Sequence, residues 1–233
     1  MSVSAALVPE TVLVPAGTFV MGSDDGLPDE APPHVVSVSA FRLARTPVTN
    51  AEYDIFLADE GAPAPPFRAD PAYSDPAQPV VGVTWFDAVA YADWLSDRSR
   101  ARFRLPTEAE WERAARGGRD GAPTVWGEAV PPGEIPEGPL RGPWRVGQGT
   151  PNGFGLLDIS TIVHEWCLDW YVPGYDIATP SVDPRGPDEG ERRVSRGGSW
   201  RHRVRFTRPA ARSSLPPHLR YADYGFRVLQ EIG

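Results

Sequence analysis

Apolar positions fall in short bursts separated by Gly and Pro, so the chain predicts many short elements rather than a few long ones. Residues 11–22 read as a strand, a turn at Pro15-Ala16-Gly17, and a second strand. Val35-Val36-Ser37-Val38 predicts a further strand, with Phe41-Arg42-Leu43-Ala44 as its expected partner. Three helices follow, each with a start signal. Thr49 stands three residues before Glu52, Thr84 before Asp87, and Thr107 before Glu110, the spacing of a reciprocal capping box. Tyr53, Phe56 and Leu57 form the apolar stripe of the first helix; Val89, Ala92 and Leu95 that of the second; Trp111, Ala114 and Ala115 that of the third. Gly61 stops the first and Gly117-Gly118 the third.

The second half carries few helix signals. Val163 to Tyr171 is nearly alternating, and Arg193 to Trp200 and Gly225 to Leu229 read as strands. Pro63–Pro79 and Pro123–Gly149 are long loops flanked by patterned elements, so they read as pinned loops and not as domain linkers. Helices early and short strands late predict a loop-rich α+β fold in a single domain, residues 1–233.

Composition agrees. The 23 Gly and 27 Pro in 233 residues disfavour a helical bundle, and eight Trp, nine Phe and seven Tyr can fill a core. Trp85, Trp94, Trp111, Trp166 and Trp170 are the expected core aromatics, and Trp144 and Trp200 the ones expected to border a cleft. No apolar run reaches the roughly 20 residues that cross a bilayer, so no membrane partner is expected. Met1 to Pro15 has no basic leader and does not read as a signal peptide; the expected compartment is the cytoplasm. One cysteine, Cys167, excludes an internal disulfide framework and a multi-cysteine metal site.

A net charge of −8 argues against nucleic-acid binding. The charge is uneven, however. All 23 basic residues are Arg, and from Arg192 to Arg227 the only acid is Asp223. Two readings are open: ion pairs to the acidic remainder, or an anion-binding face made of planar guanidinium forks.

Ordered motifs then give a resemblance. Thr46 to Tyr53, Pro79 to Ala88, Arg104 to Trp111, Pro151 to Leu157, Val163 to Trp166, Arg196 to Trp200 and Gly225 to Arg227 follow one another as in a known family. The chain resembles the formylglycine-generating enzyme family, the sulfatase-modifying-factor domain, over about residues 10–230. The resemblance implies a variant of the C-type-lectin-like fold. It also implies a range of functions: copper-dependent oxidation of a cysteine to formylglycine, iron-dependent sulfoxide synthesis, siderophore maturation, or ligand binding.

The family's oxidase holds Cu(I) between two thiolates shortly after the Gly-Gly-Ser motif, a soft pair suited to that ion. Here His202 stands at the first of those positions and Thr207 approximately at the second. Copper is therefore not expected, nor is formylglycine formation. Calcium, also implied by the resemblance, is undercut because Thr161-Ile162 replace a Gly-Asn; Glu165 persists and could ligate a hard cation, cap or ion-pair. His34, His164, His202 and His218 remain. His164 and His202 with Glu165 or Asp169 is a conceivable iron set, since two imidazoles and an acid suit non-haem Fe(II). On a strand, though, His164 and Glu165 point to opposite faces.

Two functions stand side by side, with a purely structural or interaction module as a third open reading. One is a ligand- or peptide-binding accessory domain whose groove, lined by Ser199, Trp200, His202, Arg203, Arg205 and Arg212, takes an anionic small molecule or peptide. The other is a metal-dependent oxidase or oxygenase with His202, and with it His164, as the working residues.

Overall fold

The computed structural model describes residues 8–136, 140–175, 181–202 and 207–232. Arg203 and Arg205 lie outside the described residues. The elements run β1 (Thr11–Val14), β2 (Gly17–Met21), β3 (His34–Val38), β4 (Phe41–Ala44), α1 (Asn50–Glu60), α2 (Trp85–Ser99), β5 (Phe103–Arg104), α3 (Glu108–Arg116), β6 (His164–Trp170), β7 (Arg193–Arg196), β8 (Arg212–Leu215), β9 (Tyr224–Gly225) and β10 (Leu229–Gln230). This is the expected α+β, loop-rich fold.

All three capping boxes form. Thr49, Thr84 and Thr107 each accept from the amide three residues on, and Glu52, Asp87 and Glu110 reach back to the cap. Each satisfies two of the donors a helix start leaves unpaired. Gly61 and Gly117 end α1 and α3 in the left-handed region, at φ 65° and 57°.

Strand pairing departs from expectation. The first two strands do not pair with each other, and β3 does not pair with β4. Instead β2 pairs with β3, Phe19 opposite Val36, while β1 and β10 flank β4 in a sheet ordered β1-β4-β10-β5. Burial explains the exchange. Phe19, Met21, Val36 and Val38 point to one side and join Trp111, Ala114 and Ala115 of α3 in one core cluster. Phe41, Leu43 and Ala44 are all buried, as befits a strand with neighbours at both edges. A third sheet, ordered β8-β7-β6-β9, also packs against α3, with β6 and β9 parallel. The opposite face of β6 covers a cluster built on Tyr53, Phe56, Tyr91 and Trp94 of α1 and α2, together with Trp166 and Phe226.

Trp94, Trp111 and Trp166 are buried as expected. Trp85 and Trp170 are only partly buried, Trp85 packing against the α1–α2 cluster, and they sandwich the Arg193 guanidinium at 3.9 and 3.5 Å from the ring centroids. Trp144 packs partly buried against Val81, Ile162 and Val163. Among the described residues no helix is long and apolar enough to cross a membrane.

Candidate functional site

The site is organised by β6, whose alternation sends successive side chains to opposite faces. On the α3 side, Glu165 is wholly buried. Its Oε2 accepts from Trp111 Nε1 at 2.7 Å and from Arg227 Nε at 2.6 Å, and its Oε1 from Arg227 Nη2 at 2.8 Å. Arg227 also donates to the carbonyls of Ala44 and Leu157, which ties β4 and the segment before β6 to this strand. Beside it runs a larger buried network. Arg196 of β7 reaches Glu108 at 2.9 Å and also Glu112; Arg116 holds Glu112; and Arg212 of β8 clamps Glu108 through Nε at 2.7 Å and Nη2 at 3.0 Å. These pairs hold β7 and β8 against α3.

The other side of β6 carries His164. Gly197 (φ 78°) lets the chain leave β7 and cross towards it; a Cβ there would stand 3.0 Å from Ser160 Cα and 3.2 Å from the Trp111 ring. Three backbone bonds then fix the crossing segment: Gly198 N to Ser160 O, Trp200 N to Ile162 O, and His202 N to Ser199 O. His202 arrives with its ring centroid 4.8 Å from that of His164. The β9 approach brings Asp223, whose carbonyl accepts from the His164 amide at 2.8 Å and whose Oδ2 accepts from Ser199 Oγ at 3.1 Å. One ligand atom from each of His164, His202 and Asp223 lies within 4.8 Å of the others.

His164 is buried, the Tyr224 ring lies tilted against it at 4.8 Å between centroids, and its Nδ1 has no hydrogen-bond partner among the described residues. Burial, then the neighbouring His202, push its pKa down to about 4; burial lowers His202 as well. Both imidazoles are therefore neutral at pH 7 and carry the lone pairs a metal needs. Two imidazoles and one carboxylate form a donor set suited to Fe(II), Mn(II), Co(II) or Zn(II).

The expected site residues separate into groups. His164 and His202 come together. Glu165 does not join them: it faces Trp111 and Arg227, and Asp223 supplies the carboxylate. Asp169 also lies on the α3 side, accepting from the Glu108 amide at 2.7 Å. Ser199 is buried and touches the cluster through Asp223. Trp200 is half-buried at its edge, donating to the Ala222 carbonyl at 3.2 Å. Arg212 does not join Ser199, Trp200 and His202. It is buried on the other side of the sheet, and its remaining nitrogen donates to the carbonyls of Asp29, Val172 and Gly174. His218 is an exposed turn residue. Asp223 was missed as a member of this cluster; the available signal was its place as the lone acid among ten Arg.

The Sulfatase-modifying factor enzyme 1-like domain matches residues 2–232, and the chain belongs to that family. It is 35% identical to the formylglycine-generating enzyme of Streptomyces coelicolor, over 94% of this chain and 88% of that protein. It is also 35% identical to the serine/threonine-protein kinase pkn1 of Chlamydia pneumoniae, where the match covers 97% of this chain and 38% of the kinase. Among solved structures, PvdO from Pseudomonas aeruginosa superposes with a TM-score of 0.85 at 32% identity, covering 96% of this chain and 95% of that one. The fold is thus the C-type-lectin-like one of the formylglycine-generating-enzyme type.

Proposed function

We propose that this chain is a divergent formylglycine-generating-enzyme-like protein that binds a divalent first-row transition metal through His164, His202 and Asp223, and serves a metal-dependent oxidation of a small molecule or peptide. The observation that carries the reading is the convergence of one donor atom each from His164, His202 and Asp223 to within 4.8 Å of one another, on a buried imidazole whose Nδ1 has no hydrogen-bond partner among the described residues. A native protein leaves few buried polar atoms unsatisfied, and a metal would satisfy this one. Ser199 orients the Asp223 carboxylate, and Tyr224 fixes the His164 ring. A bound redox-active ion of this class, Fe(II) or Mn(II), would supply redox chemistry towards dioxygen; the chain would supply the ligands and their orientation.

Cuprous chemistry of the thiolate kind does not fit these residues. Thr207 offers a hydroxyl where the resemblance implies a sulfur. Cys167 is buried on the α3 side among apolar residues, where burial pushes its thiol well above the ordinary range. It cannot turn to face His202.

The accessory-domain reading keeps one supporting feature. Exposed Arg201 lies over Trp200 at 4.7 Å and 4.0 Å from Asp223, at the rim of the cluster. A charge there suits an anionic ligand.

Anaerobic titration with Fe(II) and Co(II) separates the two. One equivalent bound by the wild type, with affinity reduced by about tenfold or more in His202→Ala and Asp223→Ala, is the expected result. Absence of metal binding, or binding unaffected by both substitutions, refutes the metal reading and leaves the accessory one.

A further inference from the structure

A cavity of about 540 Å³ opens on the α3 side of β6. Its size suits a small organic molecule. Met21, Val36, Val172 and Pro187 give it apolar walls, and the buried ionisable groups that line it are Glu108, Asp169 and Arg212.

These three groups are not equivalent. Arg212 has every guanidinium nitrogen engaged, by Glu108 or by backbone carbonyls. Glu108 is held by Arg196 and Arg212. An anionic ligand would thus find no free guanidinium on Arg212. Asp169 differs. Only 5% exposed, it makes no ion pair among the described residues, and its Oδ2 accepts from the Glu108 amide. Its Oδ1 faces Gly186, where an added Cβ would stand 3.2 Å away, and Gly186 also lines the cavity. A buried carboxyl beside a second carboxylate, with no ion-pair partner among the described residues, is stabilised by a positive charge brought from outside.

We infer that this cavity binds a small primary ammonium compound, with the amine against Asp169 and the apolar body between Met21, Val36 and Pro187. The site is independent of the metal cluster. Asp169 lies five residues along β6 from His164, roughly 16 Å of strand, and on the other face.

The test is calorimetric titration with phenethylamine, 2-phenylethanol and 3-phenylpropionate, with EDTA present so that no metal can hold the amine. At about pH 8.5 the amine keeps its proton. Phenethylamine should bind about tenfold or more tighter than the alcohol, and the propionate should bind more weakly than either. Asp169→Asn should abolish the preference for the amine, and Val172→Trp should weaken amine and alcohol alike by narrowing the cavity. Equal binding of amine and alcohol, a preference retained in Asp169→Asn, or no binding of any of the three at millimolar concentration overturns the inference. If Asp169→Asn fails to fold, the amine-to-alcohol ratio in the wild type and in Val172→Trp decides.

Discussion

Replacing Glu165 with Gln separates a scaffold role from a metal-ligand role. Both partners of the Glu165–Arg227 pair are fully buried, so removing the carboxylate charge leaves a guanidinium without its counter-ion. Breaking a buried pair from one side costs about 3–5 kcal/mol. Gln can still accept from Trp111 and from one guanidinium nitrogen, and Arg227 keeps its carbonyl acceptors, which places the expected loss near the lower end, about 3 kcal/mol. In a chain of this length that corresponds to a fall in Tm of about 6–12 °C. Thermal unfolding by circular dichroism reads the shift, and urea unfolding followed by tryptophan fluorescence gives the free energy. Fe(II) or Co(II) affinity of the folded variant should match the wild type, because Glu165 faces away from His164. A Tm within about 2 °C of wild type, or metal binding lost while the fold persists, would refute the assignment of Glu165 to the frame.

Other outcomes follow from the same geometry. Arg212→Met should lower stability by about 2–4 kcal/mol, because Glu108 keeps only Arg196 and three carbonyls lose a donor; urea denaturation measures it. Thr107→Ala should cost about 1 kcal/mol through loss of the α3 cap, again read by urea. Ser199→Ala should weaken Co(II) binding by about tenfold while leaving Tm nearly unchanged, a split that a merely structural serine would not give. Burial, then the Glu108 charge, raise the Asp169 carboxyl to about 8; Glu108 and Glu110 of α3 and Arg193 of β7 are the charged groups acting on it. The folded protein thus keeps a proton that the unfolded chain releases near pH 4. Stability should fall as pH rises from about 4 to about 8, and that slope should diminish in Asp169→Asn. An identical pH profile in the two proteins would contradict this assignment.

Local chemistry was legible in the sequence where it is local in cause. The three capping boxes form as read because each is settled within four residues. The strand partners were not legible. The burst at Val35–Val38 pairs with β2 because Phe19 and Met21 must share its buried side against α3, and that demand comes from residues 70 or more positions away. The site divides in the same manner. Strand alternation already set His164 and Glu165 on opposite faces. Asp223 lies 59 residues from His164, and only the parallel β6–β9 pairing joins them. The Arg-rich C-terminal segment resolved largely towards ion pairs: Arg196, Arg208, Arg212, Arg220 and Arg227 each meet a buried or half-buried acid. Their partners lie far upstream, so composition alone left both meanings open.

The alternation of β6 has an evolutionary consequence. At the start of the strand one side holds the buried Glu165–Arg227 joint and the other holds His164, so substitutions at His164 can change the proposed metal set without disturbing the joint beneath. Because His202 reaches this side from the segment after β7, outside the strand itself, a lineage can exchange sulfur for imidazole there, or discard both, while inheriting an intact chassis. An insertion of one residue within the strand has no such freedom, since it would swap the two roles at once.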